Sequence, residues 1–373
     1  MTEHQTDAAA GVAAPMRILH VSQPGDAGVA RVVAGLARHQ ADAGHDVAVA
    51  GPGGSWLASE LTGAVPYARW DADRSPARGV LRELRALRAI VADARPDVVH
   101  LHSSKAGLVG RLALRGRVPT VFQPHAWSFS AMTGPLSRAA HLWERAAARW
   151  TDTIICLSAE ELELGRDLAP ERCTLVPNGV DLGTWQPRDR AQARARLGVA
   201  PDAPLVLCVG RLAQQKGQLP FAAPWRDVVA RVPGATLALV GSGPQEAEVR
   251  TAYAGTEVLY DDACTDTRDW LAACDLVVAP SLWEGAALVP LEAMAMARGV
   301  VGYDVGGLAD VLGEPGLAVP LGDSAALVDA LVAALADGGL GARLRERVES
   351  RYDARTSYDR FTEVARKVAR RRG

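Results

Sequence analysis

The 373-residue sequence predicts an α/β protein built from two doubly wound parallel-sheet domains that face each other across a cleft. Short β-rich runs alternate with longer Ala/Leu/Arg stretches of helical pattern, the arrangement of parallel strands joined by crossover helices. The strand runs are apolar almost without interruption, as expected when helices cover both faces of a sheet. The alternation also occurs twice, once on either side of a polar, Arg-rich stretch, Pro187–Arg196.

In chain order, residues 1–15 are polar and Ala-rich and read as a loose tail. The first domain, 16–187, is expected to hold strands at Arg17–Ser22, Asp46–Gly51, Val98–Ser103, Thr120–His125 and Thr153–Ser158. Helices are expected at Arg31–Ala43, Val80–Ala94 and Leu136–Trp150. The second domain, 188–350, is expected to hold strands at Leu205–Gly210, Thr236–Gly241, Glu257–Tyr260, Leu276–Pro280 and Val300–Asp304. Residues 351–373 read as an amphipathic helix ending in Arg366, Lys367, Arg370, Arg371 and Arg372. Cations there suit the helix dipole; weak attraction to an anionic membrane surface is the sharper reading of the same residues.

Composition excludes several classes. A net charge of -2 and a pI of about 6.5 argue against nucleic-acid binding, which needs a basic face. The five cysteines are spread singly, several of them inside apolar runs, and form no CxxC pair; they fit small buried residues in a reducing compartment. No Lys or Arg precedes Arg17, so no signal peptide is expected. No apolar stretch reaches the roughly 18 residues needed to span a bilayer. The expected location is the cytoplasm, or its membrane's inner face if the basic tail is attracted there.

Four segments carry candidate chemistry. Trp283-Glu284-Gly285-Ala286-Ala287-Leu288-Val289-Pro290-Leu291-Glu292 follows an apolar strand and opens a helix. Backbone N–H groups near Ala286, Ala287 and Leu288 would then point at an anion, flanked by Glu284 and Glu292, whose carboxylates accept bonds from ligand hydroxyls. Gly210-Arg211-Leu212-Ala213-Gln214-Gln215-Lys216-Gly217 follows another strand, and Arg211 and Lys216 could reach one diphosphate. Two such contacts could replace a divalent metal in holding a leaving diphosphate. Gly241-Ser242-Gly243 allows close backbone approach to a ligand, and Gly28 lies in a turn able to line the opposite side of the cleft. Neither turn has the GxGxxG spacing of a dinucleotide fold.

The fourth segment is histidine-rich: His100 and His102 share one strand face, and His125 ends the next strand. No carboxylate or Cys accompanies them at ligand spacing, so no metal site is expected. His125 is the active-site candidate and His100 reads as structural. Asp71-Ala72-Asp73 is followed by Arg74 and Ser75 with no long apolar strand leading in, and reads as a surface turn.

Together these pieces resemble glycosyltransferase family 4, the retaining enzymes of GT-B fold with two Rossmann-like domains. The matching motifs are Gly210-Arg211-Leu212 with Lys216-Gly217, Glu284 with Glu292, and Pro177-Asn178-Gly179-Val180-Asp181. His102-Ser103-Ser104-Lys105-Ala106-Gly107 and Pro124-His125-Ala126-Trp127 look like the subgroup that builds bacterial polysaccharides. The resemblance implies that Arg211 and Lys216 bind the donor diphosphate, Glu292 the ribose, and Glu284 the transferred sugar, with His125 near that sugar. It also implies a terminal helix that crosses back onto the first domain, and no metal or other cofactor. The implied donor is a nucleotide diphosphate sugar, by default UDP-linked, such as UDP-GlcNAc or a UDP-hexose. The expected acceptor is a small molecule or a lipid-linked intermediate, and the expected route is front-face transfer, since the sequence offers no obvious protein nucleophile. Ala286 and Asp261 depart from the family pattern, beside the sugar and beside the base. A sugar-nucleotide epimerase of similar scaffold and a non-catalytic sugar-nucleotide-binding subunit are the alternatives.

Overall fold

The computed structural model describes residues 14–73, 75, 78–286 and 288–371. The first sheet comprises β1 (Arg17–Ser22), β2 (Asp46–Gly51), β3 (Tyr67–Arg69), β4 (Val98–His102), β5 (Thr120–Gln123), β6 (Thr153–Cys156) and β7 (Cys173–Leu175). The second comprises β8 (Leu205–Val209), β9 (Thr236–Val240), β10 (Val258–Asp261), β11 (Leu276–Ala279), β12 (Gly299–Tyr303) and β13 (Ala318–Val319). Their spatial orders are β3-β2-β1-β4-β5-β6-β7 and β10-β9-β8-β11-β12-β13, and the ladders are parallel. Counted from each sheet's own first strand, both orders begin 3-2-1-4-5-6, the doubly wound order anticipated from the alternation. Each sheet therefore reverses its winding at one place, between β1 and β4 and between β8 and β11. There the loops leaving the two carboxyl ends diverge to opposite faces and open a crevice.

The strands form where they do because burial on both faces selects continuous apolar runs: β4 and β9 are buried along their whole length. Three strands had no such signal. β3, β7 and β13 lie at sheet edges and have three, three and two residues. Several expected strands stop one or two residues early, because His125, Gly210 and Gly241 already turn with positive φ.

The terminal helix Ala354–Arg370 buries Phe361, Ala365 and Val368, one face at i, i+4, i+7, in the core of the first domain. The chain enters it through a short crossing, where the Val180 N–H donates to Tyr352 O at 2.8 Å and the Ala354 N–H donates to Val180 O at 3.0 Å. Its Lys367 and Arg370 are exposed, and Arg372 lies outside the described residues. Among the described residues no single helix is long and apolar enough to cross a membrane. All five cysteines are free, and Cys156, Cys208 and Cys274 are buried.

Candidate active site

The two charged loops of the second domain leave the two strands that flank its switch point. Gly210–Gly217 follows β8, and Ser281–Leu288 follows β11. They are zipped together: Leu282 N–H donates to Gln215 O at 2.8 Å, and Gln215 Nε2 donates to Trp283 O at 3.2 Å. Gly217, with φ 69°, lies so close to Pro280 that a Cβ would sit 1.9 Å from the Pro280 carbonyl oxygen. This packing delivers the Lys216 ammonium to the Glu284 carboxylate, which also accepts a 2.8 Å bond from Ser281 Oγ. Arg211 is exposed on the same loop and makes no ion pair with any described residue. Glu284 and Ser281 line a pocket with Ala279, Pro290, Tyr303 and Gly306.

The helix Leu288–Ala295 starts beside this pocket. Its first-turn N–H groups have no acceptor within the helix and carry the positive end of its dipole; Pro290 falls in that first turn, where a missing N–H costs little. Ala287 lies outside the described residues. At Gly241 and Gly243 a Cβ would meet backbone, Gly210 O at 2.5 Å and Leu212 O at 2.3 Å. These glycines permit the close approach of the β9 loop to the β8 loop, which shapes the site.

Glu292 is buried rather than a freely solvated helix acid, and its partner lies in the other domain. Arg31 Nη1 stands 3.2 Å from Glu292 Oε1, while Oε2 is buried without a partner among the described residues. Burial raises its pKa, and the Arg31 charge works against that rise. One turn earlier, a Cβ on Gly28 would lie 3.7 Å from Leu288 Cδ1. The first turn of the helix Ala27–Asp42 therefore abuts the start of the helix that carries Glu292.

On the first domain, four non-glycine residues have positive φ at the carboxyl edge of the sheet: Ala27 (63°), Ser103 (82°), His125 (55°) and Ala126 (114°). Strain of this kind persists only where neighbours enforce it, and it clusters at functional sites. For His125–Ala126 the enforcing group is Glu161, buried in the helix Ala159–Leu168. Its Oε1 accepts from Ala126 N–H at 3.0 Å and its Oε2 from Leu157 N–H at 2.6 Å. Nothing in the sequence singles out Glu161; only the fold brings a strained turn to it. Burial pushes its pKa up from 4.5 to about 7, and the two N–H donors oppose the rise. The folded chain thus keeps a proton that the unfolded chain releases, so stability is expected to fall as pH rises between 4.5 and about 7. Glu161→Gln should abolish that slope. It should also cost about 1–3 kcal/mol, because an amide N–H then faces a backbone N–H. Urea midpoints across this pH range check both, and a variant matching the wild type at every pH would rule out the clamp.

The two domains meet across this edge. A Cβ on Gly285 would lie 2.4 Å from the His125 carbonyl carbon, Ala286 packs against the first domain's core, and Gly306 N–H donates to Glu160 Oε2 at 2.7 Å. His125 is half-buried opposite Glu284–Gly285, and burial lowers its pKa to about 3, leaving a neutral imidazole at neutral pH.

Behind His125 the sheet holds a histidine cluster larger than the sequence suggested. His20 on β1 pairs in register with His100 on β4, and both are buried with His102. The signal for His20 was its place in the strand run next to β4, legible only once the strand order is known. Candidate ligand nitrogens of His20, His100 and His102 lie within 4.8 Å of one another. Lys105 serves structure: its ammonium pairs with buried Glu83 at 2.8 Å and donates to the carbonyls of Ser75 and Arg78. Asp71 accepts from Gly53 N–H and pairs with Arg69, as a surface turn would. Asp261 spends its carboxylate on Trp270 Nε1 at 2.7 Å.

The arrangement offers cations and free amides to an anion, carboxylates to hydroxyls, and a neutral imidazole facing them across a narrow crevice. Comparisons agree with that chemistry. Residues 27–184 match Glycosyltransferase Family 4, and residues 203–337 match Glycosyl transferases group 1. The 2-deoxystreptamine N-acetyl-D-glucosaminyltransferase of Streptomyces fradiae is 33% identical over 321 residues, 76% of this chain and 68% of that protein. The UDP-Gal:alpha-D-GlcNAc-diphosphoundecaprenol alpha-1,3-galactosyltransferase of Escherichia coli is 30% identical over 230 residues, 58% of this chain and 59% of that protein. The match to the D-inositol 3-phosphate glycosyltransferase of Nocardia farcinica likewise spans 59% of its length. In fold, the Anabaena protein HepE, solved in complex with UDP and glucose, superposes with a TM-score of 0.80 at 22% identity over 94% of this chain and 99% of its own. Sucrose-phosphate synthase of Thermosynechococcus elongatus gives 0.79 at 25% identity over 94% and 98%. With both halves matched in order on two facing Rossmann-like domains of GT-B type, the chain belongs to glycosyltransferase family 4.

Proposed function

We propose that this chain transfers a sugar from a nucleotide diphosphate sugar to an acceptor with retention of anomeric configuration and without a metal. The observation that carries this reading is the meeting, at one switch point, of the loop that bears Arg211 and Lys216 with the start of the helix Leu288–Ala295, where Gly285 abuts the His125 backbone. The leaving diphosphate would displace Glu284 from Lys216, freeing that carboxylate for the sugar's hydroxyls. The orphaned Oε2 of Glu292 would accept from the ribose. No side chain stands out as a nucleophile, so the acceptor hydroxyl would attack from the leaving group's side and pass its proton to the departing phosphate. The contacts between domains would keep water from the donor while this happens.

A UDP-sugar is the proposed donor, supported by the UDP complex of HepE and the UDP-galactose named for the Escherichia coli relative. Those relatives also suggest the acceptor classes: a small amino-cyclitol such as the 2-deoxystreptamine named for the Streptomyces protein, or a diphospho-lipid-linked sugar. Action in the cytoplasm, where nucleotide sugars are made, is part of this proposal.

The test is product analysis by NMR with a panel of UDP-sugars and both acceptor classes, with and without EDTA. The expected result is a glycoside that keeps the donor's anomeric configuration, formed at a rate EDTA does not change. An inverted product, or an altered sugar nucleotide formed without acceptor, would overturn it.

A further inference from the structure

The histidines behind the crevice are joined into one line of hydrogen bonds, each reported by its own distance. Thr362 Oγ1 donates to the Tyr358 carbonyl oxygen at 2.8 Å, and Gln40 Nε2 donates to Thr362 Oγ1 at 3.1 Å. Gln40 Oε1 lies 2.7 Å from His20 Nε2, His20 Nδ1 lies 3.0 Å from His102 Nε2, and His102 Nδ1 lies 3.2 Å from His125 Nε2. The line starts in the terminal helix, crosses the helix Ala27–Asp42, and passes through β1 and β4 to the strained turn after β5.

Only one arrangement of protons fits it. A backbone carbonyl can only accept, so the Thr362 hydroxyl proton points at Tyr358 O and Thr362 Oγ1 must accept from Gln40. That requires the amide nitrogen of Gln40 at Thr362 and its oxygen at His20. His20 therefore carries its proton on Nε2 and presents a lone pair on Nδ1. His102 must then donate from Nε2 and accept at Nδ1, which takes the proton of His125 Nε2. In neutral imidazoles each such choice fixes the next.

We infer that this line, polarised by the Tyr358 carbonyl, holds His125 as the tautomer protonated on Nε2, with a lone pair on Nδ1. Burial keeps His20, His102 and His125 neutral, with His20 lowered to about 4, which is the condition the line needs. Nδ1 of His125 bonds to no described residue. The ring can thus only accept from a ligand in the crevice, so it selects a hydroxyl donor of the sugar or acceptor and rejects a carbonyl or phosphate oxygen. Thr362, Gln40, His20 and His102 are positioning residues in this scheme. Only the use of Nδ1 rests on the proposed transfer reaction; the tautomer does not.

A transition metal would compete for the same atoms. His100 Nε2 is buried without a partner among the described residues, and His100 lies in the same cluster. A metal held by His20, His100 and His102 would need the His102 Nε2 proton removed, and the line would be broken.

The experiment is 15N NMR of histidine-labelled full-length chain, wild type, Thr362→Val and Thr362→Ser, each titrated with zinc chloride. The expected wild-type spectrum shows His125 protonated on Nε2 alone and no response to zinc. Thr362→Val keeps the side chain's shape and removes the anchor, so the Gln40 amide can turn over and His125 should become a mixture of tautomers. Thr362→Ser should restore the single form. If the chain transfers sugar as proposed, an equal mixture leaves half the molecules competent and kcat falls about twofold, with Thr362→Ser again restoring it. A wild-type His125 protonated on Nδ1, a Thr362→Val variant with an unchanged single tautomer, or stoichiometric zinc at His20, His100 and His102 would each overturn the inference. Because the tautomer is read without turnover, a chain that transfers no sugar would refute the proposed reaction and leave this result standing.

Discussion

Replacing Lys216 with Ala is expected to lower kcat/KM for the donor by about 10²–10³-fold, the usual cost of removing one preorganised group that stabilises charge developing in a transition state. Lys216 pairs with Glu284 and is carried by a loop pinned at Gly217 against Pro280, which fixes where its ammonium stands. Without bound donor its charge balances Glu284; with donor it must serve the diphosphate. The Ala variant therefore does two kinds of harm. It removes an attraction, and it leaves the Glu284 carboxylate uncompensated beside an incoming dianion. Two unit charges 4 Å apart at an effective dielectric of 20 interact by about 4 kcal/mol, so the second effect is comparable with the first. A K216A/E284Q double variant, which removes both charges, should lose less than the sum of the two single losses, because the repulsion is gone. Steady-state kinetics with saturating acceptor measure all three. K216A turnover within about threefold of wild type would remove Lys216 from the diphosphate site.

The parts of this design that the sequence made legible are the local ones. Central strands announce themselves because both faces are buried, and the charged loops were visible as motifs because each follows such a strand. The loops' importance becomes clear only from the strand order, since β8 and β11 are neighbours at the reversal although 71 residues separate their first positions, 205 and 276. Pairings across the cleft left no trace in a single sequence. Arg31 and Glu292 are 261 residues apart, and neither position looks unusual alone. His20 is one polar residue in an apolar strand run, and only the placing of β4 beside β1 makes it part of a cluster. The start of the helix Ala27–Asp42 was expected four residues late, because Gly28 in a Pro-Gly-Asp context resembles a loop. At Gly241 and Gly243 the sequence shows a glycine-rich turn after a strand, and the fold adds a reason for the glycines that the sequence does not carry, the close approach of another loop.

Gly285 marks the place where both domains must touch, and Gly285→Ala is expected to separate activity from stability. An added Cβ would lie 2.4 Å from the His125 carbonyl carbon, 2.5 Å from Ala126 N and 2.6 Å from His125 O, all of them backbone atoms with no rotamer to yield. Gly285 has no positive φ, so the substitution strains nothing within its own loop. The clash is relieved only by opening the crevice or by pushing back the His125–Ala126 turn, which Glu161 holds in place. Opening is the softer path, since among the described residues it breaks separate contacts rather than a buried turn: Glu160 to Gly306, Arg31 to Glu292, Asn178 to Ala286, the packing of Ala286, and the approaches of Gly28 to Leu288 and Ser158 to Gly307. Each domain keeps its own core, so the thermal midpoint should move little. A displacement of about 1 Å at the reacting centre is enough to cost on the order of 10²-fold in turnover. Donor binding should suffer less, because Arg211, Lys216 and the helix Leu288–Ala295 all belong to the second domain and move together. The expected pattern is a kcat about 10² lower with a nearly unchanged Kd for UDP. A G285A chain with wild-type kcat would mean that the crevice need not close this far, and that His125 takes no part at the distance drawn here.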